Sequence, residues 1–243
     1  MKAMILAAGR GTRLGDLGLT TPKCLVRVAG KTLLEHVVDR LKAAGVTSLV
    51  INVHHLADQV VDYVERCHGF GLDATLSREE ELLGTGGGVW RAAPCLRDQP
   101  EFVLHNADIY SELDVADMLR RHRQENALAT LAVIDRPTQR YFVFDDANRL
   151  VGWKNQGDGQ ERLVRHGPQH VLAFSGIQVL SGRIFDYMAG RGEVFSLTGP
   201  YLDAASAGEA LMAYRMDGVY WKDAGTPARL AELEAHLQAG TRS

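Results

Sequence analysis

The feature that most constrains the fold is a short apolar run at the start of the chain that ends in a loop of small residues. Residues 3–8, AMILAA, predict a buried parallel strand. The next residues, 9–13, read GRGTR, and the small residues let backbone N–H groups approach an anion closely. Arg13 and Lys23 add positive charge beside those N–H groups. Together the strand, the loop and the two cations predict a polyphosphate-binding site.

Two common phosphate-binding patterns do not fit this loop. The dinucleotide fingerprint G-x-G-x-x-G needs a glycine where Leu14 stands. Residues 30–32, GKT, imitate the end of a P-loop, but Leu25 takes the place of its first glycine. The loop therefore indicates a different class of nucleotide-binding protein.

Apolar runs alternate with helical patterns, which predicts βαβ units and a mainly parallel sheet. The predicted strands are residues 3–8, 49–53, 73–77, 101–106 and 127–134. The predicted helices are residues 32–44, 57–67, 88–95, 114–124 and 227–238, and residues 84–88 are a predicted loop. From residue 141 onward, short β-like pieces separated by turn residues predict antiparallel hairpins at the edge of the sheet. We expect one α/β domain, residues 1–243, with a Rossmann-like, mostly parallel sheet sandwiched by helices and a small antiparallel β lobe.

Charge and hydropathy restrict the possible partners and the location. A net charge of −3 gives no reason to expect a nucleic acid or an anionic membrane as partner. No run approaches the roughly 18 apolar residues of a membrane span, and residues 3–8 are too short for a signal-peptide core. Three cysteines without C-x-x-C spacing are typical of buried thiols in a reducing compartment. We therefore expect a cytoplasmic protein, either a monomer or a homodimer.

Four segments together resemble one enzyme family. They are GRGTRL with the later PK at positions 22–23, LGTGG at 83–87, NAD at 106–108 and WKDAGTP at 221–227. This set closely resembles the motifs of the sugar-1-phosphate nucleotidyltransferases, which are also called nucleoside-diphosphate-sugar pyrophosphorylases. The resemblance implies a GT-A-like nucleotidyltransferase fold. It also implies that residues 1–110 form a nucleotide-binding lobe and residues 111–243 a lobe that binds the sugar phosphate.

The same resemblance implies which residues bind the nucleoside triphosphate. Arg13 would neutralise the phosphates that leave as pyrophosphate, and Lys23 would lie nearer the α-phosphate. The full set of implied nucleotide-binding residues is Ala7, Ala8, Gly9, Gly11, Thr12, Arg13, Lys23, Glu79, Gly84, Thr85, Gly86 and Asn106. Backbone at Gly84 and Gly86 could pass close to a flat base because no Cβ intrudes.

Glu79 stands where members of the family often have a base-reading side chain. A carboxylate only accepts hydrogen bonds, so it suits the imide N–H of uracil, thymine or guanine. UTP, GTP and dTTP all carry such an imide. The chain most resembles the N-acetylmuramate-1-phosphate uridylyltransferase and mannose-1-phosphate guanylyltransferase branches of the family, so we expect UTP, with GTP or dTTP as alternatives.

Two carboxylates far apart in the sequence are candidate metal ligands. Asp108 follows a predicted buried strand, and ligands of α/β sheets bind outside the carboxyl ends of strands. The resemblance implies that Asp108 and Asp223 share one Mg²⁺, which Mn²⁺ could replace, and that both act in catalysis together with Arg13 and Lys23. Two facing carboxylates repel when no metal is bound, so we expect the metal-free site to be loose.

The sugar-phosphate side is implied by fewer residues. Asp108, Lys154, Ser175 and Gly176 are the candidates. Lys154 stands where many family members have a phosphate-binding lysine, although Trp153 replaces the glutamate that usually precedes it.

The implied reaction is Mg²⁺-dependent transfer of a nucleoside monophosphate from an NTP to a sugar 1-phosphate, which gives a nucleotide sugar and pyrophosphate. We expect a uridylyltransferase acting on N-acetylmuramate 1-phosphate or a related hexose 1-phosphate. One alternative is a guanylyltransferase acting on mannose or heptose 1-phosphate. The other is a non-catalytic, nucleotide-binding regulatory subunit, which the presence of all four charged residues disfavours.

Overall fold

Strands and helices alternate along most of the chain, of which this computed structural model describes residues 1–240. The strands are β1 (Lys2–Leu6), β2 (Arg27–Val28), β3 (Lys31–Thr32), β4 (Ser48–Val53), β5 (Asp73–Arg78), β6 (Phe102–Asn106), β7 (Ile109–Ser111), β8 (Ala129–Ile134), β9 (Arg140–Asp145), β10 (Leu150–Asn155), β11 (Glu161–Leu163), β12 (Gln169–Leu180), β13 (Leu211–Arg215) and β14 (Trp221–Asp223). The α-helices are α1 (Asp16–Thr20), α2 (Leu33–Ala43), α3 (Ala57–Arg66), α4 (Gly84–Arg91), α5 (Ala93–Leu96), α6 (Val115–Gln124), α7 (Thr198–Ser206) and α8 (Pro227–Gly240). Short 3₁₀ turns cover Thr12–Leu14, Lys23–Leu25, His68–Gly71 and Gly182–Tyr187.

Local sequence signals define the ends of several helices. Helix α2 begins with a capping box, in which the Thr32 hydroxyl accepts from the Glu35 N–H and the Glu35 carboxylate accepts from the Thr32 N–H. Helix α6 is capped by Asp114, whose carboxylate accepts from the Asp117 N–H. Such caps satisfy backbone donors that the first turn of a helix leaves free.

The chain forms two compact units. The first consists of Met1–Leu82, His105–Leu113 and the chain from Tyr220 onward, and the second of Leu83–Leu104 and Asp114–Val219. These boundaries differ from the predicted lobes of residues 1–110 and 111–243, because the chain enters each unit more than once. Which part of the chain binds which substrate remains a prediction.

The first unit is built on parallel strands. Strand β1 pairs in parallel with β4, and β4 pairs in parallel with β5. On the other side of β1 lies the end of β6, and the Ala107 N–H donates to the Leu6 carbonyl at 3.0 Å. The carboxyl ends of these strands therefore meet at one edge of the sheet, where a ligand is expected.

A separate apolar cluster in the first unit anchors the segments around that edge. Its buried members are Leu14, Val26, Val28, Leu33, Tyr110, Ala224 and Leu233. They come from the loop after β1, from β2 and the residue before it, from α2, β7 and α8, and from the residue that follows β14. Burying these side chains stabilises the positions of segments that are far apart in the sequence.

The second unit is mainly antiparallel. Strand β9 pairs antiparallel with β10 and β12, β10 with β11, and β12 with β8. Strand β13 adds one parallel pair with β8. A register shift between Phe174 and Gln178 interrupts the β8–β12 pairing, and Gly176 has a φ of +85° there. This conformation favours glycine.

The predicted α/β fold with a mostly parallel sheet and an antiparallel part is confirmed. The predicted loop over residues 84–88 is wrong, because α4 already begins at Gly84. The predicted helix over residues 88–95 is divided between α4 and α5. Within the described residues, no helix is long and apolar enough to cross a membrane.

Two buried histidines make the stability of the fold depend on pH. Burial lowers the pKa of His105 and of His122 from 6.5 to about 4. Below pH 6.5 the unfolded chain therefore binds protons that the folded chain does not. For each histidine we expect a loss of about 2 kcal/mol of stability between pH 7.5 and pH 5.

We predict that His122→Gln makes the melting temperature fall less between pH 7.5 and pH 5 than it does in the wild type. Glutamine can still bond the Thr130 hydroxyl, which lies 2.9 Å from His122 Nδ1, but it does not titrate. The control is His166→Gln, since His166 is exposed. Equal pH dependence in the wild type and His122→Gln would contradict the prediction.

Candidate functional site

The loop after β1 has a tight backbone turn at its glycines. Gly11 has a φ of +65°, which favours glycine, and the Leu14 N–H donates to the Gly11 carbonyl at 2.9 Å. A Cβ added to Gly9 would meet no atom of the described chain within 4 Å. The space beside Gly9 is therefore open to a ligand. Ala7, Ala8 and Thr12 lie in the same loop.

Lys23 reaches the carboxyl edge of the sheet from the 3₁₀ turn that follows Pro22. Its side chain is only 11% exposed, and its Nζ donates a hydrogen bond to Asp108 Oδ2. The same Nζ lies 3.8 Å from Asp223 Oδ1. A single ammonium group therefore lies in contact with both predicted metal ligands.

A two-stranded ribbon brings the two carboxylates together. Strand β7 begins immediately after Asp108 and pairs antiparallel with β14, so that Asp223 lies opposite Ile109. The Ala224 N–H also donates to the Asp108 carbonyl at 2.8 Å. Asn106, at the end of β6, is half-buried, and its carbonyl lies 2.8 Å from His105 Nδ1. The strands of the ribbon, β7 and β14, have three residues each and carry too little periodicity to be predicted from sequence.

Arg229 is a functional candidate that sequence reasoning missed. It lies in the first turn of α8, and its Nη1 donates to Asp223 Oδ2 at 2.7 Å. Arg13 Nη1 lies 3.6 Å from the same oxygen. The spacing of Asp223 and Arg229 across a predicted helix start was the only available signal. With Lys23, three cations surround two carboxylates, so this cluster carries a formal charge of +1, which suits an anionic ligand.

The donor set fits a magnesium ion. Asp223 Oδ1 is buried and has no hydrogen-bond partner among the described residues, which leaves a hard oxygen donor available. Within residues 1–240 no group of three or more His, Cys, Asp or Glu side chains could hold a metal. Mg²⁺ is commonly held by one or two carboxylates together with substrate phosphates and water, so a pair of aspartates is sufficient.

Lys23 lies between the two aspartates whose mutual repulsion was expected. Because the Lys23 ammonium contacts both carboxylates, their charges are compensated without a metal ion. We therefore expect Lys23 to hold the two aspartates together when no metal is bound.

Glu79 is buried within the first unit. Its carboxylate Oε1 accepts from Asn52 Nδ2 at 2.6 Å, and only 5% of the residue is exposed. Whether Glu79 also contacts a nucleobase remains a prediction.

Two histidines flank a pocket beside the loop. The pocket has a volume of about 620 Å³ and is lined by Arg10, Thr12, Gly15, Asp16, Gly18, Leu19, His54 and His55. His54 Nδ1 lies 3.0 Å from the Glu79 carbonyl, and His55 Nε2 lies 3.0 Å from the Gly18 carbonyl. These histidines help to hold segments of the first unit around the pocket.

Gly84, Thr85 and Gly86 belong to the second unit, where the segment around Phe195 packs on them. The Gly86 N–H donates to the Phe195 carbonyl at 2.9 Å, and a Cβ at Gly84 would lie 2.9 Å from that oxygen. A Cβ at Gly86 would overlap the Phe195 ring. The Thr85 hydroxyl accepts from the Leu197 N–H at 3.2 Å. Internal packing therefore accounts for these glycines, and their contact with a base remains a prediction.

The other sugar-phosphate candidates also lie in the second unit. Lys154 Nζ is 3.3 Å from the Glu161 carboxylate across the β10–β11 pair. Ser175 is buried, and Gly176 lies beside it at the register shift in β12. Their role in binding a sugar phosphate stays a prediction.

Comparisons with known proteins identify the family. The nucleotidyl transferase family model matches residues 2–151. An N-acetylmuramate α-1-phosphate uridylyltransferase from Neisseria meningitidis serogroup B is 33% identical over 97% of this chain and 97% of its own length. A mannose-1-phosphate guanyltransferase from Schizosaccharomyces pombe is 31% identical over 93% of this chain, which spans 61% of that relative. A solved structure of a UDP-glucose pyrophosphorylase from Acinetobacter baumanii shares the fold, with a TM-score of 0.79 and 20% identity over 97% of this chain and 92% of that one.

The chain belongs to the nucleotidyl transferase family, and the resemblance to sugar-1-phosphate nucleotidyltransferases that its motifs indicate is confirmed.

Gly225 leaves room for the charged cluster, which gives a direct test of its geometry. A Cβ at this position would lie 2.6 Å from both Asp223 Oδ1 and Arg13 Nη2. We predict that Gly225→Ala displaces the Asp223 carboxylate and lowers turnover by about 10–100-fold, as a small misplacement of a reacting group does. Steady-state kinetics measures the loss.

The matched control is Gly240→Ala, because a Cβ there would meet nothing within 4 Å in the described chain. Normal turnover in Gly225→Ala would show that the precise position of Asp223 is unimportant.

Proposed function

We propose that this protein transfers a nucleoside monophosphate from an NTP to a sugar 1-phosphate and releases pyrophosphate. The observation that supports this most is the convergence of Arg13, Lys23, Asp108 and Asp223 beside an open glycine loop. These four residues come from three separate stretches of sequence, and their side chains form one cluster of ion pairs. A regulatory subunit without catalysis would not require all four.

The chemistry needs positioning and charge compensation more than proton transfer. A sugar 1-phosphate is already ionised at pH 7, so its oxygen can attack the α-phosphorus without a general base. Negative charge builds up on the α-phosphate and on the leaving pyrophosphate. Lys23 and Arg13 would stabilise that charge, while the N–H groups of the loop orient the phosphates.

Asp108 and Asp223 would hold a Mg²⁺ ion, which supplies charge stabilisation at the phosphate oxygens when it is bound. The Lys23 ammonium now contacts both carboxylates. A triphosphate would attract Lys23 and Arg13 away from the aspartates and leave the carboxylate oxygens free for the cation. Nucleotide and metal are therefore expected to bind together.

We propose UTP and N-acetylmuramate 1-phosphate, or a related hexose 1-phosphate, as the substrates. Support comes from the Neisseria relative, which this chain matches over almost the whole length of both proteins. The mannose relative is longer, since the chain covers only 61% of it.

A second candidate is guanylyl transfer to mannose 1-phosphate. The Schizosaccharomyces pombe relative supports it with 31% identity over 93% of this chain.

The oligomeric state and a cytoplasmic location remain predictions from the sequence.

A pyrophosphate-release assay with each NTP and a panel of sugar 1-phosphates tests the proposed substrates. We predict that UTP with N-acetylmuramate 1-phosphate is used best, and that CTP and ATP are at least about tenfold poorer because their rings offer no imide N–H. Asp108→Asn and Asp223→Asn serve as inactive controls.

A preference for GTP with mannose 1-phosphate would favour the second candidate. No pyrophosphate from any pair of substrates would refute catalysis altogether.

The place of Lys23 between the aspartates predicts how the protein responds to metal. Without nucleotide, MgCl₂ should leave the melting temperature of the wild type unchanged, because Lys23 already compensates both carboxylates. In Lys23→Met the carboxylates lose that cation, so Mg²⁺ should bind them and raise the melting temperature. Turnover of the wild type should stop in EDTA and return with Mg²⁺ or Mn²⁺.

Lys31→Met is the matched control, since Lys31 pairs with Asp39 at 2.7 Å on the exposed surface of the same unit. An equal melting temperature of Lys23→Met with and without Mg²⁺, or full activity of the wild type in EDTA, would contradict this role of Lys23.

A further inference from the structure

A buried polar chain connects three parallel strands of the first unit at their carboxyl ends. The Ala7 N–H, the first after β1, donates to Asn52 Oδ1 at 2.8 Å. Asn52 Nδ2, near the end of β4, donates to Glu79 Oε1 at 2.6 Å. Glu79 follows β5, and its own N–H donates to the Val53 carbonyl at 2.8 Å. Asn52 is 2% and Glu79 5% exposed.

Chemistry fixes the direction of these hydrogen bonds. A carboxylate only accepts, so the NH₂ group of Asn52 must face Glu79. The carbonyl oxygen of Asn52 must then face the Ala7 N–H. Glu79 and the Ala7 N–H thus impose the same orientation on the Asn52 amide.

The bond to the Ala7 N–H connects this polar chain to the loop after β1, which is the proposed nucleotide-binding loop. Ala7 is the first residue of the loop that carries Gly9, Gly11 and Arg13. Holding its N–H on Asn52 determines how the backbone leaves β1 and where the later N–H groups point. A buried polar group at such a place is costly unless it is bonded, so the pair has a strong preference for one arrangement.

We propose that Asn52 and Glu79 are positioning residues that orient the nucleotide-binding loop through the Ala7 amide. Glu79 then acts on every NTP alike, through the loop, and not by reading the base. This inference rests on the proposed function only for its kinetic tests.

A charge swap tests the proposal. In Asn52→Asp, two carboxylates face each other, and we expect the KM for UTP and for GTP to rise about tenfold in parallel, which corresponds to the loss of one buried hydrogen bond. The KM for the sugar 1-phosphate should stay unchanged. In the double variant Asn52→Asp with Glu79→Gln, the new carboxylate accepts from both the Ala7 N–H and the new side-chain amide, so we expect KM within about threefold of the wild type.

The matched control is Asn148→Asp, which makes the same change at the β9–β10 turn. A double variant no better than Asn52→Asp alone would overturn the proposal. So would a change in the UTP-to-GTP ratio caused by Glu79→Gln, because that result assigns Glu79 to base reading.

A second readout does not depend on activity. Amide hydrogen exchange at Ala7 should be slow in the wild type and in the double variant, and fast in Asn52→Leu. If the wild type is inactive with every substrate pair, the proposed function fails, while slow exchange at Ala7 still supports the bonded chain. Fast exchange at Ala7 in the wild type would overturn the inference on its own.

Discussion

The contact of one ammonium group with two carboxylates is the interaction on which the rest of the site depends. Lys23 Nζ bonds Asp108 and lies 3.8 Å from Asp223, so it compensates charges that would otherwise repel. The surrounding structure holds the two aspartates near Lys23. The β7–β14 ribbon places Asp223 beside Asp108, and Arg229 holds the outer oxygen of Asp223. This arrangement supports the proposed binding of a triphosphate and a divalent cation.

Local patterns were enough to predict much of the fold. The apolar run at residues 3–8 predicted β1, and the spacing of apolar residues from 32 to 44 predicted α2, whose capping box lies at Thr32 and Glu35. These signals concern neighbours along the chain, and the physics that produces them is equally local. The cluster of Arg13, Lys23, Asp108 and Asp223 was predicted because each residue stands in a motif of the family.

Contacts between distant segments could not be predicted in this way. The glycines at 84 and 86 were expected in an open loop, but the Phe195 segment packs on them and they begin a helix. Arg229 reaches the site through an ion pair with Asp223, and no sequence motif indicates that pair. The buried bond between Glu79 and Asn52 joins two segments that no motif connects. Each of these results follows from side chains that meet only in the folded chain.

The most direct test of the account is the position of the metal in the loaded enzyme. A crystal structure with a non-hydrolysable UTP analogue and Mn²⁺, located by its anomalous scattering, measures that position. We predict Mn²⁺ within about 2.5 Å of an oxygen of both Asp108 and Asp223, with Lys23 Nζ moved from Asp108 towards the phosphates. A cation more than about 5 Å from either aspartate, or Lys23 still bonded to Asp108, would contradict it.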